Sequence, residues 1–209
     1  MSVLDQIAYY QNRRDEVPNQ ELARQLAEQD DRQGIQEIAE ALQNKNADIQ
    51  ADCIKVLYEI GYRKPELVAA YTQDYLMLLK SRNNRLVWGG MIALSTVAQL
   101  AADALEAHIP EIQKAMQRGS VITVDAGVAA LAGIAATSDE RRRRILPYLL
   151  EHLSACRPKD VPQHAEKTLP AVSPEGKNAF IGVLEKRLDD MNASQAKRVK
   201  KVIKDAENL

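Results

Sequence analysis

Apolar residues are spaced three and four apart along almost the whole chain, and no segment alternates with period two. That pattern predicts helices and no sheet. Twelve helical stretches follow from it, at roughly 2–11, 18–29, 32–43, 47–61, 66–80, 84–99, 103–117, 121–136, 138–155, 160–171, 174–191 and 194–207. A second regularity overlies the first. Leu57, Leu94 and Leu131 recur at an interval of 37 residues, and so do Ile60, Val97 and Ile134. Val87, Val124 and Val161 keep the same step, as do Ile38, Tyr75, Ile112 and Leu149, while Leu42, Leu79, Met116 and Leu153 form a further set. Self-similarity at such a period marks a solenoid, in which one supersecondary unit repeats and each copy packs on its neighbours.

Helix punctuation supports this division. Pro65 suits a first helical turn, because its missing N–H would be unpaired there anyway. Ser173-Pro174-Glu175 reads as an N-cap serine, a proline and an acid near the positive end of the helix dipole, and Ser138-Asp139-Glu140 has the same character. Gly61 and Gly119 stand where C-caps are needed. Connections are short, so consecutive helices are antiparallel neighbours and pair into six helix–turn–helix units. The second helices of the middle units carry Val87, Met91, Leu94 and Val97 in one case, and Val124, Val128, Leu131 and Ile134 in the next. Gly89-Gly90 and Ala126-Gly127 interrupt them. Glycine weakens a helix by about 1 kcal/mol relative to alanine, so its presence predicts close approach of a neighbouring helix. No strand precedes either pair, which argues against a phosphate-binding loop.

Composition refines the picture. Aromatic residues are only 4% of the 209, and alanine and leucine, the best apolar helix formers, dominate. Net charge is −1, so nothing global demands a polyanion or an anionic membrane. Charge is polarised: residues 1–45 carry a net −4 and residues 192–209 a net +3. No apolar run approaches a membrane span, and the N-terminus does not read as a signal peptide. The chain is therefore expected to be cytoplasmic. Cys53 and Cys156 lie far apart and belong to no CxxC pair, which suggests idle thiols in a reducing compartment.

The stretches Ile109-Pro110-Glu111-Ile112 and Ile145-Leu146-Pro147-Tyr148-Leu149-Leu150 resemble the first, proline-bent helix of a HEAT repeat. Residues 87–94 and 124–131 resemble its second helix, although Trp88, Asp125 and Pro162 stand where that family usually has arginine. The resemblance implies an all-α, right-handed α-solenoid of about six HEAT-like antiparallel helix pairs. It would form one domain over 1–209, with atypical capping units at 1–31 and 174–209. HEAT-like proteins are mostly interaction scaffolds, and a minority are DNA glycosylases or bilin lyases.

In such a stack the second helices line the concave face. A helix wheel that turns Met91 and Leu94 inward points Arg85, Trp88, Ile92 and Thr96 outward or sideways. Shifted by one period, the matching positions include Lys55 on one side and Ile122 and Asp125 on the other. Lys55, Arg85, Trp88, Ile92, Ile122 and Asp125 are the candidate binding residues, with Trp88, the only tryptophan, as an anchor or as inter-repeat packing. Arg85, Trp88 and Asp125 also resemble the aromatic-plus-carboxylate surface of HEAT-like glycosylases. Arg141 to Arg144 form the strongest charge run, read as the solvated start of a helix, and the basic tail around Lys197–Lys204 as a cap with Val199, Val202 and Ile203 inward. His108, His152 and His164 fall on separate segments without HxxxH or HExxH spacing, so no metal and no cofactor is expected. The expected function is non-catalytic binding of a protein partner. Nucleic acid is disfavoured by the near-neutral charge, and a small-ligand holder of lyase or chaperone type is the remaining alternative.

Overall fold

The computed structural model describes residues 2–209. Among them there is no strand. The chain divides into two compact units, Met1–Ala130 and Leu131–Leu209, and the division falls inside one helix.

The first unit opens with a 3-10 turn, Val3–Gln6, where a helix over 2–11 was expected. The Ala8 and Tyr9 N–H groups donate to the side chains of Asn19 and Asp52, so they are not available to a helical ladder. The chain instead turns through Asn12, whose φ of 54° is left-handed, and buries Ile7 and Ala8. Helices α1 (Val17–Glu28) and α2 (Arg32–Glu40) follow, and then α3 (Ala47–Gly61). Helix α3 is the centre of this unit. Eleven of its 15 residues are buried, because α1 and α2 cover it on one side and α5 (Asn84–Val97) on another. A helix apolar on most of its circumference is stable only when enclosed in this way.

Helices α3 and α5 begin alike. Asn46 Oδ1 accepts from the Asp48 N–H at 2.9 Å, and Asn83 Oδ1 accepts from the Arg85 N–H at 2.9 Å. Each side chain satisfies one of the N–H groups a helix start leaves unpaired. Helix α8 (Val121–Ala135) is the third of this kind, and the three start at 47, 84 and 121, a step of 37 residues. Leu57, Leu94 and Leu131 are all fully buried on them.

The intervening helices are more broken than the periodicity predicts. The stretch 66–80 is two 3-10 turns, Pro65–Leu67 and Ala69–Tyr71, before α4 (Thr72–Leu78). The stretch 103–117 is α6 (Ala102–Leu105), a 3-10 turn Glu106–His108, and α7 (Ile109–Arg118). Pro110 accounts for the second break. It cannot donate to the carbonyl four residues back and its ring crowds that carbonyl, so the α-helix restarts around it.

The glycine pair does what its position predicts. A Cβ on Gly89 would lie 2.9 Å from Ile54 Cγ2 of α3, and one on Gly90 would lie 2.9 Å from both Leu78 Cβ and the Tyr75 carbonyl oxygen of α4. Helix α5 thus nestles against two helices at once. Gly61 is a packing glycine too, not a left-handed cap: a Cβ there would meet Thr96 Oγ1 at 2.1 Å. Gly119 does cap α7, in extended conformation with φ −86°.

The second unit contains the end of α8, then α9 (Asp139–Ala155), α10 (Val161–Thr168), α11 (Lys177–Lys186) and α12 (Ala193–Glu207). Ser138 caps α9 as expected, its side chain accepting from the Arg141 N–H. Ser173-Pro174 does not open α11. The chain makes a turn there, with the Gly176 N–H donating to the Ser173 carbonyl at 3.0 Å, and the helix starts at Lys177. Phe180 and Leu184 of α11 pack with Leu153, Val161 and Ala165 against Val199, Val202 and Ile203 of α12. The basic tail therefore has the inner face its spacing implies. An Asn192–Gln195 capping box starts it, and Arg198 grips Glu166 of α10 with two bonds of 2.9 and 2.7 Å.

Candidate binding surface

All six candidate residues lie in the first unit, on α3, α5 and the first half of α8. Lys55 is not free to meet a partner. Its Nζ bonds Glu59 Oε1 at 2.8 Å and Glu16 Oε2 at 2.9 Å, and stands 4.8 Å over the Tyr58 ring. Burial alone would lower its pKa, but the Glu59 and Glu16 carboxylates and Tyr58 outweigh it and hold the ammonium charged beyond its usual range. Glu16 also draws Arg85, at 3.4 Å, and Arg85 reaches Asp52 at 3.8 Å. Glu16 lies immediately before α1, so these pairs tie the start of α1 to α3 and α5.

Asp52, like Lys55, is a buried member of this network. It accepts the Tyr9 N–H at 2.7 Å and the Asn19 side-chain amide at 2.9 Å, while Asn19 accepts the Ala8 N–H at 2.9 Å. Both carboxylate oxygens are thus satisfied, as a buried charge requires. Asn46 adds a bond to the Tyr9 hydroxyl at 2.9 Å. The N-terminal segment is thereby fastened to the start of α3, next to Asp48, and a hollow of about 600 Å³ remains between Tyr9, Asp48, Asp52 and Arg85.

Three rings run along α3 and α5. Tyr62 and Tyr58 stand edge to face with centroids 6.0 Å apart, and Tyr58 lies 6.4 Å from Trp88. Tyr62 is 62% exposed, whereas Trp88 is half-buried. Burial raises the pKa of both tyrosines, so their hydroxyls stay protonated and able to donate. Ile92 is half-buried on the same helix as Trp88, and Asp125 is half-buried on α8. Val121 and Ile122 project further, each 46% exposed. The surface offers aromatic and aliphatic area between fixed, mutually paired charges.

A second feature of this unit was not singled out from the sequence. A pocket of about 510 Å³ is lined by Lys80, Arg82, Lys114 and Arg118, with Glu111 the one carboxylate and Leu79 and Val87 at the wall. Glu111 is held below its ordinary pKa by His108 and Lys80, each 3.1 Å away. The i, i+4 pair Lys114 and Arg118 was the available signal; what it shares a pocket with depends on the fold. The Arg141–Arg144 run, in the second unit, sits at the start of α9, where Arg142 pairs with Asp139 and Arg141 donates to Thr137.

Against known proteins, no family model matches the chain, and the search of curated proteins gives no match. Solved structures do match. An engineered protein of the Northeast Structural Genomics Consortium has a TM-score of 0.70 at 17% identity, over 100% of this chain and 98% of that one. A designed armadillo repeat protein in complex with the peptide (KR)4 has a TM-score of 0.67 at 14% identity, covering 89% and 85%. Armadillo repeat proteins computationally designed for modular peptide recognition give 0.66 at 15% identity, covering 98% of each chain. The chain has the fold of an armadillo/HEAT-like helical repeat protein. Among the described residues, no helix is long and apolar enough to cross a membrane.

Proposed function

We propose that the chain is a non-catalytic scaffold that binds a protein partner across α3, α5 and α8 of the first unit. The observation that carries this reading is the exposed Tyr62 and the half-buried Trp88, bridged by the buried ring of Tyr58, together with Val121 and Ile122 of α8, each 46% exposed. Large rings held by packing contribute contact area with little entropy left to lose, which is why Trp and Tyr concentrate at binding hot spots. The ion pairs of Lys55 and Arg85 fix the polar rim in advance. Peptide recognition is what similar designed armadillo proteins were made for, and this supports the class of ligand.

The test compares wild type, Trp88→Ala and Ile122→Asp in affinity capture from the source cell with identification by mass spectrometry. A partner recovered by wild type and lost from both variants, with Ile122→Asp unfolding at the wild-type temperature, is the expected result. Acrylamide should quench Trp88 fluorescence in the free protein and quench it less once the partner is added. If Trp88 is shielded throughout and both variants capture the same proteins as wild type, the reading fails.

The basic pocket of α4, α5 and α7 gives the nucleic-acid alternative a location. It predicts salt-sensitive binding to a duplex that Lys114→Glu with Arg118→Glu removes. Duplex binding indifferent to that double substitution removes this alternative.

A further inference from the structure

Helix α9 ends with His152 in its last turn and Cys156 at its C-cap, one helical turn later. The Cys156 N–H closes that turn on the His152 carbonyl at 2.8 Å. Five residues on, α10 begins, and its fourth residue is His164. The connection folds back so that His152 Nε2 and His164 Nδ1 stand 3.0 Å apart. One ring nitrogen of each histidine and the Cys156 sulfur all lie within 4.8 Å of one another. His164 is 1% exposed, whereas His152 and Cys156 are half-buried.

We propose that His152, Cys156 and His164 form a binding site for a borderline-soft divalent transition metal, Zn²⁺ first among them. Imidazole nitrogen and cysteine thiolate are both donors that zinc takes, and zinc sites with three protein ligands keep a fourth position open. The spacing fits. Tetrahedral zinc with bonds of about 2.0–2.1 Å to nitrogen and 2.3 Å to sulfur needs nitrogens about 3.3 Å apart and each about 3.6 Å from the sulfur. The imidazole pair is already there within a few tenths of an ångström, and the thiol has at most about 1.2 Å to close. Rotation of the Cys156 and His152 side chains at a helix end covers that distance without moving the backbone.

The backbone is held in place independently. Arg187, which is 8% exposed, donates to the Leu153 carbonyl at 2.6 Å and to the Cys156 carbonyl at 2.8 Å. Its Nε is fixed in turn by Asp190 at 2.8 Å. A buried guanidinium that pins the last turn of α9 orients the residues that carry the donors, as outer-shell partners do in metal sites. With His164 beneath and the other two donors half-buried, the fourth position faces solvent and takes a water.

The test uses the full-length chain, freed of metal with a chelator and then titrated with Zn²⁺ against a chromogenic competitor. One equivalent should bind. Co²⁺ as a probe should give a thiolate-to-metal charge-transfer band and the intense visible bands of a tetrahedral site. Cys156→Ser should abolish the charge-transfer band, and His152→Gln should weaken binding by more than about 100-fold, beyond the effect of losing an outer-shell partner. Cys53→Ser, in the other unit, should change neither. Zn²⁺ should raise the unfolding temperature of wild type and Cys53→Ser but not of Cys156→Ser, a readout that also shows each variant folds. Absence of the cobalt band, or zinc affinity unchanged in both Cys156→Ser and His152→Gln, would mean that the three residues hold no metal, and would overturn the proposal.

Discussion

One substitution, glycine to alanine, should have opposite effects at two helical positions, and the structure says which is which. Alanine is favoured over glycine in a helix interior by about 1 kcal/mol. Gly182 in α11 would receive that gain intact, because a Cβ there meets nothing within 4 Å. Gly182→Ala should stabilise by about 0.5–1 kcal/mol. Gly90 in α5 has the same intrinsic gain to offer and a close neighbour against it. Its Cβ would lie 2.9 Å from Leu78 Cβ and 2.9 Å from the Tyr75 carbonyl oxygen. Neither is the end of a flexible side chain, and the second is backbone inside α4, so relief requires the two helices to move apart. Overpacking of this sort costs about 1–3 kcal/mol, and a backbone obstacle puts it in the upper half. The net for Gly90→Ala is then a loss of about 1–2 kcal/mol. Urea unfolding decides it. Trp88 lies two residues from Gly90 and reports the first unit by fluorescence, while circular dichroism follows all helices. If Gly90→Ala stabilised as much as Gly182→Ala, helix propensity would govern both sites and the close approach of α5 to α4 would not explain the glycine.

Leu94→Ala should destabilise by about 2–5 kcal/mol, since the side chain is fully buried; a loss below about 1 kcal/mol in the same urea experiment would remove it from the core. Cys53 gives a pH prediction. Burial, with Asp52 adding to it, pushes its thiol from 9.0 up to about 12 in the folded state. A raised folded pKa means stability that is fully present below the unfolded value and lost as pH climbs from about 9 to about 12. Between pH 8.5 and 10.5 wild type should lose about 2 kcal/mol more than Cys53→Ala, and parallel pH profiles for the two proteins would contradict the burial of that thiol.

The repeat was legible because it is written in local terms. Apolar spacing and the 37-residue step between the starts of α3, α5 and α8 are both present in the structure, while the Asn46 and Asn83 caps were not read from the sequence. Gly89 and Gly90 announced close packing correctly. What failed was the continuity of the N-terminal segment and of a proline-bearing one. The stretch 2–11 is a 3-10 turn, and Pro110 interrupts a stretch that Pro147 in α9 does not. Proline fixes the local backbone, and tertiary packing decides whether the helix carries on. The surface was less legible for another reason. Lys55 could be placed on a face, but its partner Glu16 is 39 residues earlier and Arg85 meets the same carboxylate across 69. His152 and His164, separated by a helix boundary, gave no spacing signal and yet stand 3.0 Å apart. Pairings across elements depend on how helices turn back on one another, which periodicity does not encode.

The matching starts of α3 and α5 have a consequence for how such a chain can change in length. Residues 47–83 begin after one asparagine cap and end on the next. A copy of that block spliced in after Asn83 would begin and end on the same seams, and would offer the following helix a surface like the one it already meets. Insertions of a whole block are therefore tolerable, whereas a few residues added within α3 or α5 would rotate every later side chain of that helix by about 100° each and turn its apolar stripe to water. Between α3 and α5, length in such a layout changes in whole blocks, and the block here is the 37 residues that separate their starts.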